Sequence, residues 1–189
     1  MVETGTAGRV ASAALKILLD EGASAVTMRR VAADAGVTTM ATYRHYPNRE
    51  TLLRAVAEEA FAELGRKWGR RGGRAFRGRF FGLFDDFLDF ALGKPNLYAF
   101  LITDRREGAR SFPEQADSPA FAPVVEVVEQ GMREGVLRRD DPVEVALALT
   151  MPVLGLVQLY LGGRFSLSEK DFRALCRRTV ERILDGLHA

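Results

Sequence analysis

The chain has 189 residues, 47% of them hydrophobic, and its 27 Lys plus Arg against 25 Asp plus Glu leave a net charge of +2. That length suits one large domain or two small ones, with a core that needs neither disulfide nor metal. The charge balance excludes a polybasic nucleic-acid coat; the single Cys176 excludes an intrachain disulfide or a Cys-cluster metal site, and His45 and His188 are too few for a multi-histidine one.

The N-terminus does not read as a signal peptide: Glu3 precedes any basic residue, and Lys16 interrupts the apolar stretch Val10 to Leu19. A cytoplasmic location is the expectation. Val10, Ala14, Ile17 and Leu18 follow helical spacing, and Gly22 ends that run. Thr27 is placed to cap a short helix through Ala35, with Gly36 as its stop. Thr38 to Tyr46 reads as a second short helix closed by Pro47. Asn48 caps a longer one carrying Leu52, Leu53, Val56, Ala60 and Leu64.

Charge is uneven along the chain. Residues 1–60 are neutral, residues 61–80 carry seven basic residues against one acidic, and residues 81–189 are net −4. The basic block, Arg66 to Arg79, also holds four glycines, which predicts a joint between two parts. Trp68 within it either sits at a pocket mouth or anchors the joint. Beyond it, Phe80, Phe81, Leu83, Phe84, Phe87, Leu88, Phe90 and Ala91 form an unusually aromatic helix. Pro95 opens another, through about Thr103. Arg105 to Ala116 is polar and reads as loop. Ser118-Pro119 opens a helix with Val124, Val125, Val128 and Met132, stopped at Gly135.

Asp141-Pro142 with Glu144 resembles a capping box. It starts a stretch with no charge from Val145 to Gly163, close to the roughly 18 residues of a membrane span. Thr150, Pro152, Gly155 and Gln158 interrupt it, so a helix buried between protein layers is expected, and no membrane partner. Ser168 with Asp171 starts the last helix, with Phe172, Leu175, Cys176, Thr179, Ile183 and Leu187 as its apolar positions. No alternating strand or internal repeat occurs, so the fold class is all-α.

The stretch 27–46 carries the functional signal. Two short helices separated by Ala35-Gly36-Val37 have helix-turn-helix spacing. The second helix of such a unit enters the major groove, and its first residues meet base edges. Here these are Thr38, Thr39, Met40 and Ala41. The threonines can hydrogen-bond, and Thr and Met carbons can pack on a thymine methyl. Within 27–54, Arg29, Arg30, Arg44, Arg49 and Arg54 outweigh Asp34 and Glu50, so a neutral N-terminal segment contains a locally basic face.

The run "TMRRVAADAGVTTMATYRHYPNRETLLRAV", Thr27 to Val56, resembles the TetR family of transcriptional regulators. The resemblance implies an N-terminal helix-turn-helix domain (1–48), a connecting helix with the joint (49–78), and a C-terminal helical effector-binding and dimerisation domain (79–189). It implies double-stranded DNA as partner, contacted by Thr27, Arg29, Thr38, Thr39, Met40, Tyr43, His45 and Arg49. Thr27 would cap its helix and contact phosphate, and Arg49 would clamp phosphate at a helix N-terminus. Thr42 departs from the pattern: it stands where the family has Leu or Ile facing the core. Tyr46 fits a core aromatic better than a contact, and Arg30 a solvated side chain.

The resemblance further implies an effector pocket and a homodimer through the last two helices. Phe84, Phe87, Leu88, Phe100, Phe121, Val125, Val128, Met132, Met151, Leu154 and Gln158 are the candidate lining, though each could simply be core. Gln158, the polar residue in an apolar helix, is the candidate for orienting a ligand. Gly155, Gly162 and Gly163 permit close approach of a second copy. The implied function is a repressor released from a palindromic operator by a small apolar effector. The alternatives are an activator or a sensor acting through a protein partner. No catalytic residue, cofactor or metal is expected. Asp85, Asp86 and Asp89 lack histidine or cysteine partners and read as a solvated helix face, not as an acid–base centre.

Overall fold

The computed structural model describes residues 5–70, 75–103 and 118–187, and these are helical with connecting turns and no strand. They divide into two compact units. One holds the described residues up to Glu63 and from Lys94 to Thr103, and the other holds Leu64–Gly93 and the described residues from Ser118 onward.

The first unit begins with α1 (Thr6–Glu21), which buries Val10, Ala13, Ala14, Ile17 and Leu18. A 3-10 turn (Ala23–Ala25) leads to α2 (Met28–Asp34), α3 (Thr39–His45) and the start of α4 (Arg49–Gly69). The expected caps form: Thr27 Oγ1 accepts from Arg30 N at 3.3 Å, Thr38 Oγ1 from Ala41 N at 3.1 Å, and Asn48 Oδ1 from Thr51 N at 2.7 Å. Between α2 and α3, Gly36 N donates to Ala33 O and Val37 N to Ala32 O, with Gly36 at φ +64°. This is a Schellman turn, and its left-handed residue favours glycine. Thr42 is fully buried and its hydroxyl donates to Thr38 O at 3.4 Å. A polar residue thus occupies a core position by hydrogen-bonding back along its own helix.

Sequence periodicity does not show that α6 (Pro95–Tyr98), continuing into a π-helical turn (Ala99–Thr103), belongs to this unit. Asn96 Nδ2 donates to Leu19 O at 3.0 Å, satisfying a carbonyl in the last turn of α1. Leu97, Tyr98, Phe100 and Leu101 are buried. Burial pushes the Tyr98 hydroxyl up to about 12.

In the second unit the end of α4 carries Trp68, and α5 (Phe76–Gly93), α7 (Ala122–Arg133), α8 (Pro142–Leu161) and α9 (Glu169–Gly186) pack around an aromatic core. The predicted joint is narrower than Arg66 to Arg79: α4 continues to Gly69 and α5 starts at Phe76, while residues 71–74 lie outside the described residues. The start of α5 is tied to α7, with Phe76 N donating to Glu134 Oε2 at 3.2 Å and Arg79 Nη1 to Gln130 Oε1 at 2.5 Å. The polar stretch Arg105 to Ala116 lies outside the described residues.

Asp141 caps α8, accepting from Val143 N and Glu144 N at 2.8 and 3.1 Å. Its own amide donates to Asp140 Oδ1, where the capping-box pattern called for Glu144. The α8 helix corrects one expectation. One side of it is uncovered along its length, so it is not enclosed between layers. Val145, Ala146, Leu149, Val153 and Val157 form its buried side, while Ala148, Met151, Pro152, Gly155 and Leu159 are exposed along the other. On α9 the buried stripe is Phe172, Cys176, Val180 and Leu184, while Leu175, Thr179 and Ile183 are half-buried beside it. Tyr160 stacks on Phe172 with centroids 4.0 Å apart, and Arg177 lies over the Phe81 ring at 4.1 Å.

Candidate nucleic-acid interface

The first unit presents α3 with its N-terminal residues outward. Thr38 and Thr39 are exposed. Met40 is 69% exposed and Tyr43 45%, uncommon for side chains this large. Three positions apart, they share a helix face. Thr27, Arg29, Arg44 and His45 are also exposed. Thr27 and Thr38 accept backbone amides as caps, and each hydroxyl hydrogen remains available to donate to an anionic or carbonyl oxygen. Tyr46 differs from Tyr43: it is half-buried, and its hydroxyl donates to Ala7 O at 3.4 Å, tying α3 to α1.

Two arginines do something that the sequence did not indicate. The family resemblance implies a phosphate contact for Arg49. Its Nε donates to Val26 O at 2.7 Å and its Nη2 to Ala23 O at 2.5 Å. The guanidinium thus binds the turn between α1 and α2 to the start of α4. Arg30 keeps its side chain 40% exposed and forms a two-point surface pair with Glu21 through both carboxylate oxygens. Hydrogen bonding from Arg30 holds the Glu21 carboxyl below its ordinary range, and the same bond raises the Arg30 guanidinium. The available signal was an acidic residue at the end of α1 facing a basic one at the start of α2, across a nine-residue separation that local patterns do not test.

The candidate effector residues are divided between the two units. Phe84, Leu88 and Val128 are buried in the second unit, with Phe87, Phe121, Val125, Met132 and Leu154 half-buried there. Phe100 is buried in the first unit, because its segment follows α6 onto α1. Met151, 40% exposed, and Gln158 lie on the uncovered side of α8. Gln158 is seven residues from Met151 and three from Gly155, which fixes it on that side. It does not line the interior of the protomer.

A sequence family described as "Bacterial regulatory proteins, tetR family" matches residues 10–56. A second, "Tetracyclin repressor-like, C-terminal domain", matches residues 80–183. No curated protein matches the chain. Among solved structures, a protein of unknown function from Rhodococcus sp. RHA1 is similar over 99% of this chain and 97% of its own, with 23% identity and a TM-score of 0.80. A TetR-family transcriptional regulator from Vibrio parahaemolyticus has 19% identity and a TM-score of 0.72, covering 97% of this chain and 98% of its own. The transcriptional regulator FadR from Bacillus subtilis, in complex with stearoyl-CoA, has 14% identity and a TM-score of 0.74, covering 95% and 98%.

Proposed function

This chain belongs to the TetR family of bacterial transcriptional regulators, and we propose that it is a cytoplasmic repressor that binds a palindromic operator as a homodimer and leaves it on binding a small apolar effector. It is a ligand-responsive DNA-binding regulator and not an enzyme. The observation that carries the proposal is the outward Thr38-Thr39-Met40 start of α3, with Tyr43 on the same side, on a three-helix head closed by the Gly36 turn. Thr38, Thr39 and Met40 read base edges, with the methionine against a thymine methyl. Thr27, Arg29, Tyr43 and His45 hold phosphates and register. Arg49 acts as a positioning residue, since two of its donors are held by carbonyls of the head.

The dimer interface is the exposed apolar side of α8, Ala148, Met151, Pro152, Gly155 and Leu159, with the half-buried Leu175, Thr179 and Ile183 of α9. A symmetric pair through this surface sets two recognition helices about 34 Å apart, one turn of DNA. The effector enters the aromatic second unit. The Bacillus subtilis regulator in complex with stearoyl-CoA supports a long apolar ligand as one class to test. An effector that binds better to a conformation with the wrong head spacing shifts the population and releases DNA.

The test is selection of bound duplexes from a random pool at fixed moderate salt, followed by anisotropy titration of the recovered site. A shared palindrome, with affinity lowered by apolar compounds, is the expected result. No shared site from the folded protein would overturn sequence-specific binding. A site indifferent to every apolar compound would overturn the effector half alone.

A further inference from the structure

Among the described residues, Trp68 Nε1 is the one buried side-chain nitrogen or oxygen without a hydrogen-bond partner. Trp68 is 8% exposed, so water does not readily serve it. Buried polar groups are almost always paired, and leaving one unpaired costs at least what a net hydrogen bond contributes. The indole sits at the end of α4 with its ring edge-on to Phe87 and Phe90 of α5, at centroid distances of 6.5 and 6.1 Å. A phenylalanine would fill that aromatic niche without the cost. On the same face of α4, one turn earlier, Gly65 lets the backbone before α7 come close: a Cβ there would stand 2.4 Å from Pro119 O. An unpaired donor therefore lies among aromatic rings where the end of α4, α5 and the entry to α7 belong to one unit.

We infer that the Trp68 indole N–H orients the effector, and that the effector is an apolar molecule carrying a neutral hydrogen-bond acceptor such as a ketone or ester carbonyl. The inference rests on the effector half of the function proposed above. A neutral indole brings no charge to offset the desolvation of a carboxylate, so a neutral acceptor is the matching chemistry. The flanking rings supply the apolar contact that holds the remainder of such a molecule.

The test uses butyrophenone and its isostere with C=CH2 in place of C=O, titrated calorimetrically into the full-length protein without DNA. The two differ in the acceptor and little else. The ketone is expected to bind roughly five- to tenfold more tightly, the ratio that one net hydrogen bond to an otherwise unpaired donor gives. Trp68→Phe is expected to abolish the ketone's advantage and leave the isostere the tighter ligand, because the carbonyl is then buried without a donor. The chain has one tryptophan, so its emission reports the same contact in the parent protein even if the variant folds poorly. The ketone should red-shift that emission, and the isostere should not.

Equal binding of the two ligands by the parent would overturn the inference while leaving an effector site in place. The indole would then be satisfied by the face of Phe87 or Phe90. A ratio that survives Trp68→Phe would also overturn it, by placing the donor elsewhere. Binding of neither ligand would overturn it at this site, with operator release deciding the regulator function separately.

Discussion

Replacing Arg49 with methionine separates two roles that a family resemblance merges. The side chain is 35% exposed and donates to two carbonyls, Ala23 O at 2.5 Å and Val26 O at 2.7 Å. A hydrogen bond from a charged donor contributes about 1.5–3 kcal/mol when dry, but these sites are part-buried and water can replace the arginine. About 1 kcal/mol for each bond is the appropriate scale, so Arg49→Met should destabilise the DNA-free protein by about 2 kcal/mol. For a chain of this length that lowers the thermal midpoint by about 4–8 °C. Arg49→Lys should recover little, because one ammonium on a flexible stem does not span both carbonyls. The assay is thermal and urea unfolding without DNA, followed by operator affinity across a salt series. A lost phosphate contact reduces the slope of log K against log salt by about 0.9, whereas a lost brace leaves it unchanged. Stability within about 0.5 kcal/mol of the parent, the ordinary range for a surface change, together with a slope lowered by one contact, would refute the bracing role.

Gly36→Ala should cost about 1–2 kcal/mol, because the residue sits at φ +64°. Nothing stands within 4 Å of the added carbon, so the cost is conformational and urea unfolding should show it without any change in packing. Leu159→Asp, at a site 47% exposed in the protomer, should leave the fold intact and yield monomers by sedimentation velocity. An intact dimer would displace the interface from α8. Burial pushes the Cys176 thiol up to about 11. Because the folded value is the raised one, this group favours the folded state below the free thiol's range and loses that contribution as pH rises toward 11. At pH 8 a disulfide reagent should label the native protein far more slowly than the urea-unfolded chain, and equal rates would contradict the burial.

Local rules determine much of this protein, and local sequence displays them. Thr27, Thr38, Asn48, Asp141 and Ser168 cap helices because a side-chain oxygen reaches an amide two or three residues ahead. Gly36 stops α2 because left-handed backbone favours glycine. The outward Thr38-Thr39-Met40 face follows from helical spacing once those ends are fixed. Other features depend on pairs far apart in sequence, and periodicity carries no information about them. Arg49 reaches carbonyls more than twenty residues away, and Asn96 joins α6 to α1 across 77 residues. Phe100 follows α6 in the first unit. The uncharged α8 reads alike whether one side or all sides are covered, and packing on α7 and α9 leaves Met151 and Gln158 outside. Sequence thus set where helices begin, end and turn polar, because those choices are made within one turn of backbone. Which apolar sides meet, and which donor is left without a partner, were decided by tertiary structure, because each depends on residues that only folding brings within contact distance.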